Sequence, residues 1–425
     1  MKPYELSDEV LGLITMQAAK PVLRHQLEEP VSDEAWEAAR LARKASATHF
    51  TTVHYFYEQK TGGIVCRHGW ITYPDSLRRS LREISRLTRA GSEMDSIMKQ
   101  REGSRTLTRS FVEELKTNLA YDGFHSHYER LMQVIRGESP ATTVAEMVAL
   151  NYLDIMFNLP TLDCGPELTP EFVDDLYCRL VDGLPRNALP EFACGTPIPT
   201  FHALSLDAPY EEAVATVCAL FNGRLSSPDL DPVLLSFDLN CFHWFYRAFP
   251  MFNNLMGCVL SRYLLCREGY PVFRYLPKAL IYKRWSSGEL SGSVPYGIEE
   301  AFVFDDDSMD YTPVYDVVMR LMVESLEEIR GSLRGLQQAD DAVIGAIERM
   351  PNINLRQAEI LRKAVIDSEA TFFIKSHQER YHVAYSTARA DLMKLVQRGL
   401  LTESYRGSAI CYRPAPRLKT TLLEA

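Results

Sequence analysis

Features that define several common classes of protein are missing from the sequence. Its nine cysteines are spread singly without any C-x-x-C pair, which argues against a disulfide framework and against a cysteine zinc site. No stretch reaches the roughly 18 apolar residues of a membrane span, and no basic leader followed by an apolar block opens the chain. We therefore expect a globular, cytoplasmic protein. A chain of 425 residues with 46% hydrophobic content suffices for two or three packed domains.

A large positive charge is also missing. The chain has a net charge of −10, while residues 340–425 alone hold 13 Lys and Arg against ten Asp and Glu, a balance of +3. The first 339 residues are therefore acidic, at −13. This distribution argues against nucleic-acid binding by the whole chain, whereas the C-terminal segment could approach a phosphate backbone.

The apolar pattern predicts a mainly α-helical protein with three regions, residues 1–100, 101–336 and 337–425. The first region is mixed, and its segment HFTTVHYFYEQKTGGIVCRHGWITYPDSL indicates short strands or a packed loop. The second shows helical periodicity in VAEMVALNYLDIMFNL, TPEFVDDLYCRLVDGL, APYEEAVATVCALFNGRL and TPVYDVVMRLMVESLEEIRGSLRGL. The pattern relaxes at residues 337–341, where we expect the helical region to give way to the third.

The third region has the pattern of a small α+β module. LRQAEILRKAVIDS is an amphipathic helix, TFFI a short β-like piece, KSHQERYH a second helix, and SYRGSAICYRPAP two β-rich runs around a turn. Between them, VAYSTARADLMKLVQRGLL predicts a third helix. We expect Tyr385 or Ser386 as its N-cap, small Ala388 and Ala390 for close helix approach, and Gly399 as its stop.

The third helix and the β-rich arm after it resemble the recognition helix and wing of winged helix-turn-helix regulators. The resemblance rests on STARADLMKLVQRGLL and covers residues 355–416. It implies a DNA-binding protein, and a dimer is expected because such readers usually contact paired half-sites. The side chains that would meet the major groove, its phosphates or the flanking backbone are Tyr385, Ser386, Thr387, Arg389 and Lys394 on the helix and Arg406 on the wing. Alternatively, Arg389 and Lys394 are solvated charges, or the module docks a protein.

Residues 113–336 resemble a Fic-type domain, the fold of protein AMP-transferases. The family core reads P-x-x-x-A…H-x-x-F-x-x-I-H-P-F-x-D-G-N-G-R-x-x-R…G-Y-P across two helices joined by a loop, and Pro232 and the GYP of residues 269–271 match its two ends. A helix that carries a His in the family has Tyr177 here. The loop positions that agree with the family are Phe249, Asn253 and Gly257.

The chemistry that the resemblance implies for this loop is missing. In an active member, a His takes a proton from the target hydroxyl, an acid holds Mg²⁺, glycines let backbone amides approach the phosphates, and two arginines neutralise them. This chain has Arg247 and Ala248 for His-Pro, Met251 for the acid, Phe252 and Asn254 for the glycines, and Leu255 and Cys258 for the arginines. Arginine stays protonated, and a Phe side chain hinders the close approach that glycine allows.

The surroundings of the loop do not replace the missing groups. A second register, with residues 249–250 on His-Pro, supplies no base either. His243, one turn before the loop, is expected to be packed or partly exposed. EELKTNLAYDGF resembles the inhibitory helix of the family, with Asp122 and Gly123 at its Glu-Gly. Because the arginine that this acid would bind is Cys258, we expect Asp122 to be a structural cap or a surface acid.

The sequence predicts no metal and no cofactor, since the carboxylates of DDDSMD lack the Gly and the distal Glu of a calcium loop. The favoured hypothesis is a Fic-like, homo-oligomeric protein that has lost AMP-transferase activity and regulates by binding DNA. Two alternatives stay open. One is a nucleotidyl- or phosphate-group transferase in which Arg247 and Asn253 hold an anion, and the other is a protein-docking scaffold.

Overall fold

The structure, a computed structural model, describes residues 7–57, 64–101, 105–185, 210–222, 230–245, 248–276, 303–304, 308–406 and 409–424. They belong to two compact units, which are Met1–Ser92 with Phe111–Leu326, and Glu93–Ser110 with Glu327–Ala425. Most of the described residues are helical, so the predicted mainly α class is confirmed.

The first half of the chain combines helices with one strand hairpin. In order, its elements are α1 (Asp8–Ala19), α2 (Asp33–Ala45), β1 (Thr48–Tyr57), β2 (Ile64–Ile71), α3 (Asp75–Thr88), α4 (Glu93–Gln100), α5 (Arg105–Tyr121), α6 (Tyr128–Ile135), α7 (Val144–Asn158), α8 (Pro170–Leu180) and α9 (Tyr210–Phe221). The aromatic segment near residue 50 is therefore a pair of strands rather than a packed loop.

The second half contains the central helix pair, a very long helix and a helix–hairpin module. Its elements are α10 (Pro232–Phe245), α11 (Asn253–Arg267), β3 (Val303–Phe304), β4 (Ser308–Asp310), α12 (Thr312–Arg349), α13 (Leu355–Ile366), α14 (Ile374–Tyr381), α15 (Tyr385–Gln397), β5 (Leu401–Arg406), β6 (Ala409–Pro414) and α16 (Leu418–Glu424). Short 3₁₀ helices cover Arg24–Gln26, Leu159–Thr161 and Pro271–Tyr275.

Four of the strands form one sheet in the order β1-β2-β4-β3. β1 pairs antiparallel with β2, β2 parallel with β4, and β3 antiparallel with β4. The buried Asp310 at the end of β4 pairs with Arg43 of α2, with 3.0 Å between Oδ2 and Nη2. Arg43 also lies over the ring of Trp70 on β2, with its guanidinium carbon 5.3 Å from the ring centroid. Asp310, the last carboxylate of DDDSMD, therefore has a structural role.

Side-chain caps stabilise the starts of α7 and α8. The Thr169 hydroxyl accepts from the N–H of Phe172 at the start of α8. A capping box joins Thr143 and Glu146 at the start of α7, where each side chain accepts from the backbone of the other residue. These contacts are local, so a single sequence suffices to predict them.

The long helix α12 does not end at residues 337–341 as the sequence indicates but continues to Arg349. Asp340, within that stretch, is buried and accepts from Arg101, next to the end of α4, and from Lys419 of α16 at 2.6 Å. Because both partners are distant in sequence, the polar stretch has no local signal that it is packed. α12 contributes residues to both compact units.

The module from α13 to α16 has its own apolar core. Ile360 and Leu361 of α13, Leu392 and Leu395 of α15 and Tyr412 of β6 are among its buried members. β5 and β6 form an antiparallel hairpin, and Phe372, before α14, makes an antiparallel bridge to Tyr412. The predicted β-like TFFI piece is therefore an edge of this small sheet.

Two local expectations for α15 are wrong. The N-cap is Ala384, which offers no side-chain cap, rather than Tyr385 or Ser386. Ala390 is exposed, so only Ala388 allows a close helix approach. Gly399, with φ of +68°, ends the helix as predicted, because glycine tolerates this left-handed conformation.

Across the described ranges, no helix is both long enough and apolar enough to cross a bilayer. The same residues contain no group of three or more His, Cys, Asp or Glu side chains arranged to hold a metal ion.

Candidate functional site

The loop between α10 and α11 is the first candidate site. Its first two residues, which include Arg247, lie outside the described part of the chain. The rest turns at Phe252, which adopts φ of +62°, and α11 begins at the next residue. A left-handed conformation costs a residue with a Cβ atom roughly 1–2 kcal/mol. The Phe252 side chain is fully buried and stacks on Phe124, with ring centroids 5.5 Å apart, and such burial contributes about 1.5–3 kcal/mol.

Asn253 holds the loop closed from inside. Its side-chain oxygen accepts from the N–H of Phe249 at 2.9 Å, and its side-chain nitrogen donates to the carbonyl of the same residue at 2.8 Å. Both ends of the amide are therefore engaged with the loop backbone. Asn254, the next residue, is also buried, so neither asparagine presents its side chain to solvent.

The side chain of Phe249, a residue of the loop, packs against α8 and α10. Its ring stacks on Tyr177 of α8 at a centroid distance of 4.9 Å. It also stacks on His243 of α10 at 5.9 Å, and the planes of Phe249 and His243 lie within 9° of parallel. Burial raises the pKa of Tyr177, and the nearby Asp122 carboxylate raises it further. Tyr177 and Phe249 thus belong to one aromatic stack that carries no ionised group at neutral pH.

His243 is packed rather than partly exposed. Its Nδ1 lies 2.7 Å from the carbonyl oxygen of Leu239, so Nδ1 carries the proton and donates. Burial lowers the pKa of His243 to about 4, although the Leu239 hydrogen bond raises it. Gly257 of α11 lies against this imidazole, since a Cβ atom at Gly257 would come within 2.9 Å of the His243 Cβ. Gly257 is needed here for helix packing.

A buried ion pair lies beside Cys258 on α11. Arg262 donates to Glu114 of α5, to the hydroxyl of Tyr152 at 2.7 Å and to two backbone carbonyls, and these side chains are fully buried. Burial lowers the pKa of Arg262, but Glu114, Tyr152 and Cys258 together raise it by more, so the net shift is upward. The pair is 148 residues apart in sequence and was not predicted.

The helix that resembles the inhibitory element contacts α11 at Cys258. The side-chain nitrogen of Asn118 donates to the Cys258 sulfur at 3.5 Å, and Glu114 Oε1 lies 3.9 Å from it. Asp122 and Gly123 follow the end of α5, and Gly123 has φ of +83°. The α5 side chains that meet Cys258 are therefore Asn118 and Glu114.

The exposed face of α15 is the second candidate site. Tyr385 has 55% of its surface exposed, Ser386 and Arg389 are exposed, and Thr387 is half-buried. Lys394 is also exposed, but its ammonium donates to the carbonyl of Asn352 at 2.9 Å. Arg406 is the last residue of β5, and its side chain lies outside the described part of the molecule.

Asp391, on the opposite face of α15, fixes the helix in the module. It accepts from Asn354 at 2.7 Å and from Arg356 at 2.7 Å, both at the start of α13, and lies 3.2 Å from His377 Nε2 on α14. Burial would raise the pKa of Asp391, but these hydrogen bonds, that of Arg356 foremost, hold it below the ordinary value. One carboxylate therefore joins three helices.

Comparison with known proteins finds similarity to solved structures but no match in sequence. No family model and no curated protein matches the sequence. Among solved structures, the chain is similar to a Fic family protein from Desulfovibrio desulfuricans G20, with a TM-score of 0.44 and 14% identity over 81% of this chain and 97% of that one. A likeness of this size assigns neither a family nor an activity to the chain.

Proposed function

We propose that this protein is a DNA-binding regulator that reads duplex DNA with α15 and the β5–β6 hairpin, and that its Fic-like central part has no transferase activity. The observation that carries the proposal is the two-sided character of α15. One face is tied into the module by Ala388, Asp391, Leu392 and Leu395. The other offers Tyr385, Ser386 and Arg389 to solvent from the first two turns.

The order of elements supports this reading. A helix, a second helix, an exposed third helix and an antiparallel hairpin follow one another within residues 355–414. In winged helix-turn-helix proteins the third helix enters the major groove with its N-terminal residues against the bases. Arg389 makes no ion pair with any described residue, and an arginine can bond bidentately to guanine.

The filled loop supports the absence of transferase chemistry. A phosphate cradle needs backbone amides that a ligand can approach and cations that neutralise it. Phe249 and Phe252 are buried there in aromatic stacks, and the Asn253 amide is engaged by the loop backbone. The one arginine described on the inner part of α11, Arg262, is committed to Glu114.

The experiment is selection of bound fragments from a genomic DNA library by the purified full-length chain. We expect enrichment of one sequence, with paired half-sites if the protein is a dimer. Arg389→Ala should lose the enrichment. Arg362→Ala should keep it, because Arg362 lies on α13, where its 42% exposed side chain pairs with Glu348. Failure of the wild-type chain to enrich any sequence would refute the proposal, and a stably co-purifying protein would then favour the docking scaffold.

A further inference from the structure

A cleft in the C-terminal module lies away from the exposed face of α15. It is formed by α13, α14 and the segment between them, and its volume is about 150 Å³. The side chains that matter for a ligand are Glu359, Lys363, Phe372, Phe373, Ser376 and His377. Neither candidate site described above includes this cleft.

The walls of the cleft suit one aromatic ring. Ile360 is buried, and Phe372 and Phe373 are half-buried, so their rings still offer surface to a ligand. A volume of roughly 150 Å³ is large enough to hold benzene, and the cleft combines these apolar side chains with polar ones. A single six-membered ring that carries a polar group therefore matches the size and the mixed lining of the cleft.

The charges at the rim leave one cation available. Glu359 accepts from the Tyr381 hydroxyl and from Arg380, whose Nη2 lies 3.3 Å away. Burial and the hydrogen bond to Glu359 raise the pKa of Tyr381 to about 12, so the Tyr381 hydroxyl stays a donor at neutral pH. Lys363, one turn along α13 from Glu359, is exposed and pairs with no described side chain. Ser376, which also lines the cleft, is exposed as well.

We propose that this cleft is a binding site for a small aromatic carboxylate. The ring lies against Phe372 and Phe373, and the carboxylate accepts from Lys363 and Ser376. His377, which also lines the cleft, contacts Asp391 of α15 through its Nε2. The inference is independent of DNA binding, because it rests on the cleft alone.

The test is ligand-observed NMR with the full-length chain and three probes: benzoate, benzyl alcohol and acetate. Benzoate should bind with a Kd of about 0.1–10 mM, as expected for so small a ligand. Benzyl alcohol has the ring without the charge and should bind about 3- to 10-fold more weakly, and acetate should not bind measurably. Lys363→Gln should remove the difference between benzoate and benzyl alcohol. Lys375→Gln, an exposed lysine of α14 outside the cleft, should preserve it.

Ser376→Phe tests the location without changing charge. Ser376 is exposed, so the larger side chain can enter the cleft while the helix stays folded, which circular dichroism checks. It should abolish binding of both aromatic probes. No binding of benzoate to the wild-type chain, unchanged binding by folded Ser376→Phe, or a benzoate preference that survives Lys363→Gln would each overturn the proposal.

Discussion

The imidazole of His243 and the ring of Phe249 lie face to face, 5.9 Å apart and within 9° of parallel. The stack places a neutral histidine of α10 against an aromatic side chain within the α10–α11 loop. Both residues are buried, and a methyl group at Gly257 of α11 would clash with the His243 side chain. The packing of the central helix pair therefore depends on a small set of residues.

Gly257→Ala should destabilise the protein by about 1–3 kcal/mol, because the added Cβ would lie 2.9 Å from the His243 Cβ and the helices would have to separate. Gly12→Ala is the matched control, since its Cβ would meet nothing within 4 Å on α1. That change should be neutral or stabilise by up to about 1 kcal/mol. Urea unfolding measures both, and equal stability of the two variants would contradict the packing described for Gly257.

Stability should depend on pH through His243. Its folded pKa of about 4 lies below the ordinary value of 6.5, so the unfolded chain binds a proton that the folded chain does not. The contribution is complete above pH 6.5 and is lost as the pH falls towards 4, by an amount on the order of 3 kcal/mol. Unfolding at several pH values should show a flatter profile over this window for His243→Asn than for the wild-type chain.

Asp238, also on α10, provides a contrasting slope. It is buried, accepts from the Tyr315 hydroxyl at 2.6 Å and 2.7 Å, and burial raises its pKa from 3.8 to about 7. The folded state then holds the extra proton, so this contribution is lost as the pH rises from about 4 to about 7. Asp238→Asn should make stability rise more steeply with pH over this window. If His243→Asn and Asp238→Asn changed the slope in the same direction, the assignments would be wrong.

Glu114→Gln should destabilise the protein by about 3–5 kcal/mol, because it leaves the Arg262 guanidinium buried without its counter-charge. The double change Glu114→Met with Arg262→Met removes both charges and should cost less than the single change. An exposed pair serves as control: Glu93 and Arg334 have side chains 43% and 47% exposed, so Glu93→Gln should change stability by less than about 1 kcal/mol. Denaturant unfolding of the four proteins decides the matter. A double variant less stable than Glu114→Gln would contradict the expected role of the charges.

Magnesium-ATP should leave the melting temperature unchanged. A ligand that binds the folded state alone raises the melting temperature. The aromatic stacks of Phe249 and Phe252 fill the α10–α11 loop, which is where the transferase hypothesis would place the phosphates. Differential scanning fluorimetry with ATP, GTP and CTP checks this. A concentration-dependent shift that disappears in Arg247→Ala would favour the transferase hypothesis instead.

Features with local causes could be predicted from the sequence, and features with distant causes could not. Thr169 starts α8 and Gly399 ends α15 through contacts within a few residues, and the exposed Tyr385 and Arg389 follow from the periodicity of α15. The continuation of α12 depends on Asp340, whose partners lie near residues 101 and 419. The residue pattern of 337–341 therefore gives no sign of those contacts.

At the central loop, the sequence indicated which groups are missing but not what replaces them. The sequence alone shows that Phe252 stands where the Fic family, which this chain resembles, has glycine. It did not predict that this phenylalanine keeps the left-handed φ of +62°, because the offsetting stack on Phe124 is a tertiary contact. The Arg262–Glu114 pair was missed for the same reason, although Glu114 lies in the helix that the sequence had singled out for Asp122.

DNA reading by α15, as proposed, is tested most directly by the affinity of the wild-type chain and of Arg389→Ala for the selected duplex over a range of salt concentrations. Fluorescence anisotropy should show a logarithm of affinity that falls linearly with the logarithm of salt concentration. Arg389→Ala should weaken binding by about 1–3 kcal/mol, while Arg362→Ala binds like the wild type. Binding that is independent of salt, or equally tight in Arg389→Ala, would contradict the account.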